Sequence, residues 1–96
     1  MRKETSNRTE KEIMRREIGF RIMSLRIDNC YSRKKFSKIA GISSCFLYEI
    51  ELGKKGFSAY TLLRIAEALK VSTDYIMTGQ KTTKLEEESV LALDKN

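Results

Sequence analysis

The stretch GISSCFLYEIELGKK, residues 41–55, sets short polar side chains where a basic chain would be expected to offer arginines. Ser44 can donate or accept a hydrogen bond, Cys45 is a small weak donor, and Glu49 when ionised only accepts. Lys54 and Lys55 stand just beyond them, and Arg33, Lys34 and Lys35 stand just before, in YSRKKFSK. This is recognition chemistry rather than bond-breaking chemistry. The chain has no histidine, which removes histidine-based triads and most zinc sites. Gly53 and Gly56 lack the following glycine and Lys-Ser/Thr pair of a phosphate cradle. No catalytic residue, metal or cofactor is therefore expected.

Ninety-six residues suit one small domain with one core. A third of them are charged and 41% apolar, as in a soluble globular chain. No apolar run approaches the roughly 20 residues of a membrane span. The opening MRKETSNRTEKE has no apolar signal region. The two cysteines, Cys30 and Cys45, make no disulfide framework, so a reducing cytoplasm is the expected compartment. The net charge of +6 is uneven: 16 Lys/Arg against 9 Asp/Glu through Gly79, then 3 against 4. A basic body suits a polyanion, although charge alone does not separate that reading from a solubilising surface.

The elements that must position these residues are helices. Residues 1–8 read as a flexible polar arm. Thr9 and Glu12 form a capping box, and the helix it opens runs to about Asn29, with Ile18, Ile22 and Leu25 on one face. Ser32 caps a second helix over about 33–40, with Phe36, Ile39 and Ala40 inward, and Gly41 ends it. Ser43 caps a third over about 44–52, with Leu47 and Ile50 inward, and Gly53 ends that. SAYTLLRIAEALK holds a fourth, with Leu62, Ile65, Ala66 and Leu69 on one face. Ser72 caps a short fifth, with Asp74 in its first turn, Ile76 buried and Gly79 closing it. The expected architecture is all-α, five short helices over 9–79, then a tail over 80–96.

The second and third helices are joined by a very short turn, GIS, which is the spacing of a helix-turn-helix. The second helix of such a pair fits the major groove of duplex DNA, while the first lies across the backbone. Arg33, Lys34 and Lys35 crowd the start of the first. A helix N-terminus already carries partial positive charge, so an anion such as a DNA phosphate should compensate them.

The run RIMSLRIDNCYSRKKFSKIAGISSCFLYEIELGKKGFSAYTLLRIAEALKVSTDYIMTG, residues 21–79, resembles the Cro/CI-type (XRE family) helix-turn-helix regulators, and the resemblance extends over residues 18–79. The marks are Arg26 late in helix one, Ser32, Gly41, Glu51 then Gly53, and the closing LLRIAEALKVSTDYIMTG. The resemblance implies a five-helix, lambda-repressor-like domain in which Arg26 pairs with Glu51. It puts base reading at Ser44, Cys45, Tyr48 and Glu49, with Phe46 at the edge either touching a thymine methyl or covering the helix. Phosphate contacts fall to Ser32, Arg33, Lys34, Ser43, Lys54 and Lys55. Cys45 reads as small surface filler rather than a redox sensor, and Cys30 as packing near the end of helix one. The chain departs from the family at Arg33, often Gln, at Ser37, where the family has Ala at a tight helix–helix contact that a hydroxyl still fits, and near Phe57, where the family often has proline.

The resemblance implies a sequence-specific transcriptional regulator of double-stranded DNA, a repressor by preference. The alternative is an antitoxin or other interaction module that uses the same fold and binds a protein partner through its tail. No metabolite-binding domain is expected beside the one small domain that these 96 residues suit. A homodimer is expected. Phe20, Met23 and Ile27 recur on a second side of helix one, and TKLEEESVLAL in the tail has a capping box at Thr83 and Glu86 with Leu85 and Leu93 near one face. Three placements are open to this tail helix: over its own helix one, across to a partner's, or unordered.

Overall fold

The computed structural model describes residues 2–80, with side chains from Thr9 onward. Five helices follow in order: α1 (Arg2–Asp28), α2 (Arg33–Ala40), α3 (Ser44–Glu51), α4 (Ala59–Leu69) and α5 (Thr73–Thr78). Among the described residues there is no strand. The expected tail helix, with Leu85 and Leu93, lies outside the described residues.

The four short helices start the same way. Ser32, Ser43, Ser58 and Ser72 each hold an extended backbone, and each hydroxyl accepts from the amide three residues on. An uncapped helix start leaves amides without partners, and a serine cap contributes about 1 kcal/mol over alanine. The stops are left-handed residues. Gly41 (φ 74°) and Gly79 (φ 78°) end α2 and α5, and Gly53 (φ 77°) follows α3. Residues between caps and stops then place their apolar stripe inward. Ile18, Ile22, Phe36, Ala40, Leu47, Ile50, Ile65, Ala66, Leu69 and Ile76 form the buried core. Helix α1 packs on α3 and α5, α2 on α3 and α4, and α4 on α5.

Three local expectations are corrected. The capping box at Thr9 does not start α1, because the helix already runs from Arg2 and carries no glycine or proline before Thr9 to break it. Ile39 is 43% exposed, and Ser37 takes the inward position instead. Residues 33, 36, 37 and 40 share the face that meets α3 and α4, while 39 lies to its side. Cys30 does not pack: it is exposed, with φ 60°, and its amide bonds Ile27 O as the chain leaves α1. A left-handed residue turns the chain there so that Tyr31, not Cys30, stacks on the core ring of Phe36.

Gly19 lets α1 and α3 touch. A Cβ added at this position would overlap the carbonyl oxygens of Ile50 and Glu51 at the end of α3. Two effects oppose in Gly19→Ala. Helix propensity favours alanine by about 1 kcal/mol, whereas forcing backbone apart in a packed core costs about 1–3 kcal/mol. The obstacle is backbone, which cannot swing aside, so overpacking wins. Urea denaturation of Gly19→Ala is expected to show a lower midpoint. A raised midpoint would mean that the helices stand further apart than described.

Candidate nucleic-acid interface

The turn between α2 and α3 spans residues 41–43. The Gly41 amide bonds Lys38 O at 3.2 Å and the Ile42 amide bonds Ser37 O at 2.9 Å. The Arg64 side chain lies against Gly41 on the side where a Cβ would project, so left-handed φ and close approach both require glycine there. Ser43 Oγ then accepts from the Phe46 amide and α3 begins.

Helix α3 is divided lengthwise. Leu47, Ile50 and Glu51 are buried, Phe46 is partly buried against the core, and Ser44, Cys45 and Tyr48 are exposed. Glu49 is half-buried, and its Oε1 lies 3.4 Å from Lys55 Nζ. Residues 44, 45, 48 and 49 form one strip, as helical spacing requires. Lys54 and Lys55 are exposed just beyond its C-terminal end, Lys34 is exposed on α2, and Ser32 and Ser43 are exposed at the starts of α2 and α3. The structure thus brings Ser44, Cys45, Tyr48 and Glu49 to one exposed strip, with the residues expected to hold phosphate on α2, in the turn and beyond α3. It also joins Lys55 to Glu49, an exposed contact worth about 0–1 kcal/mol that a competing phosphate can replace.

Behind the strip is a charged cluster. Arg26 Nε donates to Glu51 Oε2 at 2.6 Å and Nη2 donates to Oε1 at 3.2 Å. Both residues are buried, at 7% and 5% exposure. Arg26 Nη1 donates to Tyr31 O at 2.8 Å, which ties in the loop before α2. Sequence reasoning missed the third member: Arg33 Nε donates to Glu51 Oε1 at 3.0 Å, and its guanidinium lies 4.9 Å from the centre of the Tyr48 ring. One buried carboxylate therefore holds the ends of α1, α2 and α3 together. Arg33 reaches from that carboxylate to the exposed strip, and a glutamine there could offer an amide but no charge. No signal in the local sequence links residues 33, 48 and 51; only the fold does.

A second missed contact lies at the start of α3. Ser37 Oγ is 3.0 Å from Ser44 Oγ and 2.9 Å from Lys34 O. At the far side of the domain, Arg21 Nε donates to Ile76 O at 2.9 Å, which anchors α5 to α1. Among the described residues, no buried side-chain nitrogen or oxygen is left without a partner. No group of three His, Cys, Asp or Glu residues there could hold a metal, and no helix is long and apolar enough to cross a membrane.

On α1 the exposed apolar side chains form a longer stripe than the sequence reading named. Phe20 and Ile27 are 63% and 56% exposed, Met23 is half-buried, and Ile13 is exposed seven residues before Phe20.

A family model described as a helix-turn-helix domain matches residues 19–81. Two solved structures are similar. The restriction-modification controller protein C.AhdI from Aeromonas hydrophila has a TM-score of 0.63 and 21% identity, covering 65% of this chain and 94% of that one. The clp gene regulator ClgR from C. glutamicum has a TM-score of 0.61 and 25% identity, covering 66% and 82%. No curated protein sequence matches the chain. The short turn, the buried charged cluster and the exposed strip of α3 fall within the matched residues, and the chain belongs to the helix-turn-helix domain family, as a DNA-binding regulator of the Cro/CI (XRE) type.

Proposed function

We propose that the protein is a homodimeric, sequence-specific repressor that acts in the cytoplasm by occupying its operator. The observation that carries this reading is the exposed strip of α3, which carries no cation of its own, with Arg33 beside Tyr48 and Lys54 and Lys55 just beyond its end. Ser44, Cys45, Tyr48 and Glu49 read base edges. Short side chains let the helix backbone approach the groove, and Glu49 accepts from a cytosine amino group while repelling misplaced phosphates. Arg33, Lys34, Lys54 and Lys55 hold phosphates, which supplies affinity without sequence information. Ser32 and Ser43 each accept from their own helix and retain a proton for a phosphate oxygen. Repression by occupancy needs nothing beyond binding. The dimer supplies two reading helices for half-sites about one DNA turn apart. It forms along α1, where Ile13, Phe20 and Ile27 stand at heptad intervals, the spacing by which one helix packs along another.

Selection of bound duplexes from a random pool tests the reading. Glu49→Ala is expected to change the selected sequence, with little loss of non-specific affinity. Lys54→Ala is expected to weaken binding to every duplex and to flatten the salt slope by about one unit. Equal losses in both variants with an unchanged site would refute the division of roles. A reporter driven from the selected site is expected to fall as the protein rises; an increase would make it an activator.

A further inference from the structure

The hydroxyls of Ser37 and Ser44 are arranged in one direction. Ser37 is 3% exposed, on the face of α2 that meets α3. Its Oγ lies within hydrogen-bond distance of two oxygens, Lys34 O at 2.9 Å and Ser44 Oγ at 3.0 Å. A carbonyl oxygen can only accept, and a hydroxyl has a single proton. The Ser37 proton therefore goes to Lys34 O. The Ser37 oxygen is left as an acceptor, so the second bond must use the proton of Ser44. Reversing the chain would make one bond fewer. Two hydroxyls in series also polarise each other in the direction that makes both bonds.

The consequence falls on the exposed side. Ser44 has spent its only proton inward and turns lone pairs alone toward anything that docks on α3. In the major groove, the donors are the exocyclic amino groups of cytosine and adenine. Guanine offers N7 and O6, and thymine offers O4, all acceptors. Resting on the assignment of α3 as the reading helix, we propose that Ser37 is a specificity-determining residue that never touches DNA. It holds Ser44 as an obligate acceptor, so the start of α3 selects the amino group of cytosine or adenine and rejects guanine and thymine edges. Glu49, acceptor-only when ionised, applies the same polarity one turn further along α3. A serine at position 44 in front of an alanine would lack this constraint, because its hydroxyl could turn to donate or accept.

The test uses the full chain, Ser37→Ala and Ser44→Ala on the selected duplex. Each amino-bearing base is replaced in turn by its analogue without the amino group, 2-pyrimidinone for cytosine and purine for adenine. Each is also exchanged for guanine or thymine. One hydrogen bond corresponds to roughly 2–10-fold in affinity. The wild type is expected to lose about that factor at one position, beyond the loss seen at neighbouring positions. Ser44→Ala, altered at an exposed site, is expected to be indifferent to the amino group there. Ser37→Ala is expected to keep the wild-type salt slope while accepting guanine or thymine at that position nearly as well. Retained discrimination in Ser37→Ala, or a wild-type preference for guanine or thymine edges opposite Ser44, would overturn the proposal. Absence of any selected sequence or salt-dependent duplex binding by the wild type would instead remove the reading-helix assignment on which it stands.

Discussion

Arg26→Ala is expected to lower the unfolding free energy by about 3–5 kcal/mol, the usual cost of removing one partner from a buried ion pair. Two bonds to Glu51 and one to Tyr31 O disappear together. Desolvation sets the scale: Glu51 stays behind at 5% exposure, and an unpaired buried carboxylate is far more costly than an exposed one. Arg33 softens the loss, because its Nε still donates to Glu51 Oε1. That places the expected result toward the lower end of the range. A small domain has only about 5–15 kcal/mol in total, so the variant should melt well below the wild type. The double variant Arg26→Met, Glu51→Leu removes both charges and should recover part of the loss, since an apolar pair of similar volume is often neutral or better. Thermal and urea denaturation of the three proteins decide the matter. An unchanged melt for Arg26→Ala would show that water reaches the pair.

The same cluster marks the limit of what could be read from the chain. The serine caps and glycine stops were legible because a cap acts over three or four residues and its partners are adjacent in sequence. Ile18, Ile22, Phe36, Leu47, Ile50, Ile65 and Ile76 were legible because a helical stripe shows as a period. The failures are of two kinds. A period fixes an angle only to within about one residue, so Ile39 reads as inward together with its neighbour Ala40, although only Ala40 is buried. A capping box states what could start a helix, not that the chain before it stops, and α1 runs through Thr9. The contacts that give the interface its detail are tertiary. Arg33 with Glu51 spans 18 residues, and the close approach at Gly19 pairs α1 with the end of α3. Nothing local distinguishes Arg33 as a bridge from Lys34 beside it. A lone glycine within a helical pattern was the one available hint that a second backbone passes near Gly19.

Phe20→Glu is expected to produce a monomer that binds its operator about 100- to 10,000-fold more weakly, the factor gained when a second reading helix engages as part of one body. Phe20 stands at the middle of the exposed α1 stripe, with Ile13 seven residues before and Ile27 seven after. Scattered exposed apolar residues are normal on a monomer, but a stripe in heptad register is a surface that pairs with another helix. In a two-fold dimer the stripe meets its own copy, so a glutamate at position 20 meets, or lies near, a second glutamate. The site is exposed, and the core residues Ile18 and Ile22 face the other way, so the domain itself should stay folded. Helical content by circular dichroism is expected to be unchanged, and half-site contacts through Lys54 and Glu49 should survive in the monomer. Light scattering on the full chain, on Phe20→Glu and on residues 1–79 separates the two candidate halves of the contact. A dimer retained on truncation assigns the interface to α1 alone. A dimer lost on truncation makes residues 80–96, with Leu85 and Leu93, part of it. If the full chain is a monomer at tens of micromolar, and Phe20→Glu binds the operator as tightly as the wild type, one reading helix suffices and the dimer is wrong.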